Sequence, residues 1–143
     1  MADGPVKILW SLAANLGGTI AAAGNSGSWQ GAGPGNTLPA VDNETPVDLR
    51  LIDDLALYVF VTAIVSSPSL TVQIDGYDDQ GNLFPAISGT PAAITAAGHA
   101  APVYIGKHGG TAGSYVVLPL WGRVSWAISG GSVTGTEICL LGR

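Results

Sequence analysis

Charge is what this sequence has least of. Ten acidic and five basic residues serve 143 positions, and none falls between Lys7 and Asp42. An ordinary soluble domain is roughly one-quarter charged, whereas this chain is 10% charged. A solitary monomer keeps its neighbours at a distance with a mixed-sign charged surface. Here the exterior must be neutral or covered, which points to a component of an assembly. Five cations against a net charge of −5 cannot build a phosphate-tracking stripe, so nucleic acid is excluded as a partner. A single cysteine, Cys139, excludes an internal disulfide and a thiolate zinc site. Set in an apolar run, it reads as a small buried hydrophobe. Long hydrophobic runs are also missing. The longest, Leu55–Val65, falls well short of the roughly 20 apolar residues a membrane-crossing helix needs, so no membrane partner is expected. The opening Met1–Gly24 is not read as an export signal, because Asp3 offsets Lys7 and Asn15, Gly17 and Gly18 interrupt its apolar stretch.

Catalytic patterns are missing too. There is no Gly-x-Ser-x-Gly elbow, no phosphate-binding loop and no His-Glu-x-x-His. The two histidines, His99 and His108, lie in Gly/Ala-rich stretches and read as exposed loop residues. Asp53-Asp54 reads as a turn or strand-edge pair, since neighbours on a strand point to opposite faces and cannot flank one bond. No nucleophile, base and orienting group can be assembled. The expectation is a protein that is not an enzyme, with no cofactor and no small-molecule substrate. The acidic turn Asp75, Asp78, Asp79 and Asn82 has oxygen ligands suited to calcium but lacks EF-hand spacing, and reads as a solvated turn.

What the chain does have is glycine, proline and period-two hydrophobicity. Twenty-one glycines and nine prolines are spread along it and favour turns over long helices. Leu70, Val72 and Ile74 alternate with Thr71, Gln73 and Asp75, and Val124, Trp126 and Ile128 alternate with Ser125 and Ser129. Each pattern predicts a strand with one face buried. Leu55–Val65 differs. Leu55, Leu57, Val59, Val61 and Val65 share one parity, while Tyr58, Phe60, Thr62 and Ile64 hold the other. Both faces are apolar, so both are expected to be covered. Tyr115–Leu120 is another continuous apolar run, and a final strand is expected over Thr134–Leu141. Ser66-Ser67-Pro68-Ser69 and Ser129-Gly130-Gly131-Ser132 read as hairpin turns, and Ala92–Ala97 as at most a helical turn.

These features predict an all-β chain with an antiparallel β-sandwich, jelly-roll or immunoglobulin-like, over 47–143. Residues 1–46 are expected to form an extended, Gly-rich N-terminal arm, with short strands at Val6–Leu12 and Thr19–Ala23. Fixing a backbone costs about 1–2 kcal/mol per residue, so a segment such as Gly24–Pro39 orders only against surface supplied to it. The candidate assembly contacts are Trp10 and Trp29 in the arm, Tyr58, Phe60 and Ile64 on the doubly apolar strand, and Trp121. Trp29, Tyr77, Tyr104 and Trp121 also form a candidate sugar-stacking set, which keeps a carbohydrate-binding module as an alternative.

The run Leu57–Val65, the Ser66-Ser67-Pro68-Ser69 link, Thr71–Gly81 with its Asp-rich turn, and the close from Arg123–Gly131 to Leu140-Leu141-Gly142-Arg143 resemble a group of small bacteriophage virion proteins. The resemblance covers 47–143. It implies a β-sandwich made in the host cytoplasm and placed on the capsid exterior. As a decoration or cement protein it would bind the major capsid protein and copies of itself. A tail or tail-fibre component is the other virion location compatible with it. No functional residue comes with the resemblance.

Overall fold

The computed structural model describes residues 5–12, 19–26, 46–78, 80–89, 91–107 and 117–143. Among the described residues, nine strands form one antiparallel sheet: β1 Lys7–Leu12, β2 Thr19–Ile20, β3 Gly24–Asn25, β4 Val47–Asp48, β5 Asp54–Tyr77, β6 Leu83–Phe84, β7 Gly98–His99, β8 Val103–Gly106 and β9 Trp121–Gly142. The chain is all-β, with no helix among the described residues. β5 and β9 pair along nearly their whole lengths, from Leu55↔Gly142 to Tyr77↔Trp121. Short segments line the outer edges of this ladder. β1, β2, β3 and β4 follow one another along β9, and β8, β7 and β6 lie along β5. Three of these edge strands come from the first 46 residues.

A strand of 24 residues would run to about 80 Å if straight, several times the usual length, and strongly twisted sheets curl. The curl is placed by the two segments expected to be hairpin turns. Ser66–Ser69 and Ser129–Ser132 do not reverse the chain. They lie inside β5 and β9 and face each other, Ser66 opposite Gly131 and Ser69 opposite Ser129. The register shifts between Ser66 and Ser69, so β5 carries one extra residue there, a β-bulge. Ser66 (φ 64°) and Gly130 (φ 76°) both adopt left-handed conformations. Pro68 is fully buried within the bulge, where its missing N–H breaks no rung of the ladder. The same turn chemistry that closes a hairpin thus bends a continuous ribbon.

The extra residue also preserves the inward face. Before the bulge the buried side chains are odd-numbered: Leu55, Leu57, Val59 and Val61. After it they are even-numbered: Leu70, Val72 and Ile74. Both halves of the ladder feed one core, joined by Val124, Ile138 and Leu140 of β9, Ile20 of β2 and Leu49. Trp10, held beside Leu140 by β1, stacks on Trp126 from the far half of β9, with ring centroids 6.0 Å apart and planes 24° from parallel. The alternation expected in Leu70–Tyr77 and around Val124 is present, and Val6–Leu12 and Thr19–Ala23 contain β1 and β2. Ala92–Ala97 forms no helical turn. Ile94 instead exchanges both backbone hydrogen bonds with Leu70 (2.7 and 3.0 Å), so this segment is held as an extended cover beside the core. In the Tyr115–Leu120 run, Val117–Leu120 lies outside any strand, and Val117 and Leu120 are exposed.

Candidate functional site

Alternation from Leu55 to Val61 of β5 puts Leu55, Leu57, Val59 and Val61 inward, so Tyr58 and Phe60 point the other way; beyond Val61 the alternation ends, residues 62–67 are all exposed, and Ile64 pairs with the core residue Val133. Among the described residues, none encloses this second parity at Tyr58. Tyr58 is 40% exposed and Ile64 38%. Directly paired residues share a face, which identifies their companions. Ala56 pairs with Leu141 on one side and Tyr104 on the other, and Ile8 continues that row. Tyr58 pairs with Cys139, which pairs in turn with Ser11. Phe60 lies between Glu137 and His99. Thr62 hydroxyl donates to the Gly135 carbonyl at 2.8 Å. The result is a broad, neutral, aromatic surface. Among the described residues in these rows, Glu137 is the only charged side chain.

Within this surface Tyr58, Phe60, His99, Pro102, Glu137 and Cys139 line an open groove of about 690 Å³. The Phe60 and His99 rings pack at 4.6 Å. Tyr58 and Tyr104 meet edge to face, and their phenol oxygens share a hydrogen bond at 3.1 Å. That bond, with partial burial, pushes the Tyr58 phenol above its ordinary range. The Cys139 thiol is also pushed up, by burial and then by the nearby Glu137 charge. Raised in this way, the thiol is a poor nucleophile. Cys139 is half-buried on this outward face and is not the enclosed core residue expected. The cause is parity: Ile138 and Leu140 take the inward positions. Because Ile138–Leu141 is apolar throughout, the sequence does not reveal which residues face inward. His99 likewise belongs to a strand, β7, while remaining exposed as expected. His108 lies outside the described residues.

The remaining candidate contacts are placed elsewhere. Trp10 is half-buried in its stack on Trp126. Trp121 is half-buried at the start of β9, beneath the Arg50 guanidinium at 4.8 Å from its ring centre. Trp29 lies outside the described residues. Of the sugar-stacking set, Tyr77 is buried and Tyr104 is 48% exposed. Tyr77, Tyr104 and Trp121 therefore form no common platform. The face around Phe60 was visible in the sequence through Tyr58 and Phe60, whereas Ile64 pairs with the core residue Val133 and does not join it. The flanking His99 and Glu137 were not, because only long-range pairing brings residues 60, 99 and 137 into one row.

The acidic turn is solvated at Asp78 and Asn82 as expected, but not at Asp75. Asp75 is wholly buried in β5. It accepts hydrogen bonds from Arg123 Nε (2.9 Å), Gln73 Nε2 (2.7 Å) and the Ala86 N–H (2.8 Å). Asp78 accepts from the Gln80 and Asn82 N–H groups and from Asn82 Nδ2, closing an Asx-type turn. Both carboxylates are committed to protein donors and sit in different environments, so they do not converge on an ion. Asp79 lies outside the described residues. Adding calcium is accordingly expected to leave the thermal midpoint unchanged in scanning calorimetry, whereas a concentration-dependent rise would contradict this account. Asp53 and Asp54 divide as the sequence predicts. Asp53 is exposed, while Asp54 is buried at the start of β5 and accepts from Arg143 Nε at 3.3 Å. Comparison of the chain with known protein families, curated proteins and solved structures finds no match.

Proposed function

We infer that this chain is a structural, non-enzymatic protein that acts by adhesion, as a decoration protein on a bacteriophage capsid. The observation that carries the reading is the outward face of β5, where Tyr58 and Phe60 lie on a surface that, among the described residues, is almost without charge. Sheet faces of this kind need little desolvation to be covered, because few ions lose their water. They are the sort of surface that obligate contacts are made from. The poverty of charge along the whole sequence supports the same conclusion. The resemblance of residues 47–143 to small phage virion proteins supplies the specific setting, in which the partners are the major capsid protein and further copies of the chain. We take the curled sheet with its shared core as a β-sandwich of jelly-roll type, a rigid body suited to reinforcing a shell.

The test is co-sedimentation of the purified chain with empty capsid shells. Binding is expected to saturate at a fixed copy number, to raise the temperature at which shells disrupt, and to vary little with salt, since contacts poor in ions are weakly screened. Tyr58→Asp, on an exposed side chain, is expected to reduce binding by at least about tenfold while leaving the far-UV circular dichroism unchanged. Failure to sediment with shells, or full binding by the variant, would count against this role for the face.

A further inference from the structure

We propose that Tyr58 and Tyr104 form an oxidative cross-linking site, in which a carbon–carbon bond between their rings staples the edge strand β8 to β5. The inference concerns these two side chains and does not rest on the adhesion reading of the face. Ala56 pairs with Tyr104, and Leu57 with Val103. Tyr58 is therefore the diagonal neighbour of Tyr104 on one face, a separation that aromatic side chains span. The rings meet edge to face with centroids 6.1 Å apart, and the phenol oxygens share a hydrogen bond at 3.1 Å. Among the described residues these are the only exposed tyrosines, at 40% and 48%, whereas Tyr77 is buried. Contact and access to an oxidant thus coincide in this pair.

The chemistry is phenol coupling. A one-electron oxidant takes an electron from each phenol, and each O–H proton goes to water. The resulting tyrosyl radicals carry unpaired spin on the ring carbons next to oxygen. A bond forms between one such carbon on each ring. The hydrogen on each of those carbons then leaves as a proton while a proton returns to each oxygen, and both rings become aromatic again. Two electrons and two protons are removed in all. Hydrogen peroxide, acting through a haem peroxidase, accepts them and leaves as two waters. In the product the two oxygens flank the new bond as close neighbours, an arrangement the existing hydrogen bond already approaches. Cys139 pairs with Tyr58 from the other side and is the competing reductant. Burial and the Glu137 charge keep its thiol protonated, and oxidation follows thiolate character. The cross-link spans 46 positions, so it restrains the unfolded chain as a disulfide of that span does. Among the described residues β8 pairs with β5 alone, so the bond secures a strand held on one side.

The experiment treats the dilute full chain with hydrogen peroxide and a haem peroxidase. The blue fluorescence of dityrosine is expected in protein that still migrates as a single chain on a denaturing gel. Peptide mapping is expected to join the peptides that carry Tyr58 and Tyr104, with the loss of two hydrogen atoms. Tyr58→Phe and Tyr104→Phe keep the ring and remove the oxygen. Each is expected to lose the signal with its circular dichroism unchanged, whereas Tyr115→Phe, outside the described residues, is expected to keep it. The cross-linked chain is expected to unfold at a higher urea concentration than the untreated chain. Absent fluorescence, fluorescence confined to covalent multimers, or a signal that survives Tyr58→Phe or Tyr104→Phe overturns the proposal. So does a bond mapped from Tyr58 to Cys139. An unchanged urea midpoint in the cross-linked chain rules out the staple. Shell binding is read in a separate assay, so the adhesion role and the cross-link stand or fall independently.

Discussion

Asp75→Ala is expected to destabilise the fold by about 3–5 kcal/mol, the usual consequence of leaving one half of a buried ion pair uncompensated. Asp75 is wholly enclosed, and the Arg123 side chain that donates to it is itself only 17% exposed. Arg123 also lies over the Tyr77 ring at 5.8 Å, so it cannot swing out without giving up that contact. The carboxylate has a second task. By accepting from the Ala86 N–H it ties the 85–88 turn to β5. Burial pushes the Asp75 carboxyl up. Hydrogen bonds from the Ala86 N–H, Ser125, Arg123 and Gln73 outweigh that push and hold it below its usual range. A carboxyl lowered on folding adds stability that is fully present above its unfolded value, near 3.9, and is lost as pH falls through the folded value. The stability gap between the unmodified chain and Asp75→Asn should therefore be constant above about pH 5 and shrink on further acidification. Urea melts across pH would measure it. A gap that widened in acid, or never existed, would show that Asp75 does not hold these elements together.

The second large effect is expected at the bend. Gly131→Ala should cost about 3 kcal/mol or more, well beyond an ordinary surface change. A Cβ at Gly131 would run into the Val65 carbonyl and crowd the Pro68 nitrogen, both backbone atoms that cannot turn aside. Relief requires the bulge to open, and with it the geometry that lets both ladder halves feed one core. Ser129→Ala, an exposed position on the same strand, is the matched control and is expected to stay within about 0.5 kcal/mol. The Trp10–Trp126 stack reports the bend independently, because coupled indoles give a paired circular dichroism signal. Loss of that signal in Gly131→Ala, together with a lower urea midpoint, is the expected result. An intact signal at unchanged stability would show that the bend does not depend on this glycine.

Both effects arise at places where local sequence pattern and long-range pairing part company. Alternation in Leu70–Tyr77 and in the Val124 segment was legible because one face meets the core and the other does not. The same logic exposed Leu55–Val65 as two-faced, which was the clue to the candidate surface. Ser66–Ser69 and Ser129–Ser132 misled because glycine, serine and proline permit left-handed backbone and tolerate lost hydrogen bonds. Those properties serve a bulge as well as a turn, and the difference lies in what stands opposite. Each segment stands opposite the other, more than sixty residues away along the chain. Asp75 misled for a related reason. It continues an alternating strand into an acidic turn, so its polarity suggested solvent, while its partner Arg123 is 48 positions distant. Short edge strands such as Gly24–Asn25 and Gly98–His99 have no periodicity to read, because two residues cannot show a period. The row Glu137–Phe60–His99 is hidden in the same way.

The ladder between β5 and β9 has a consequence for how the chain acquires its shape. Its outermost rung joins Leu55 to Gly142, and the edge strands hang on one or other of its two rails. Little of β5 can settle before β9 has been synthesised, and closing such long loops is slow. During that interval a long apolar ribbon with open edges is in contact with the cell, the circumstance in which β-rich chains associate wrongly. A chain that matures this late is most vulnerable while its ladder is incomplete, so the rate of synthesis and the temperature of expression should govern its yield more than the stability of the finished fold.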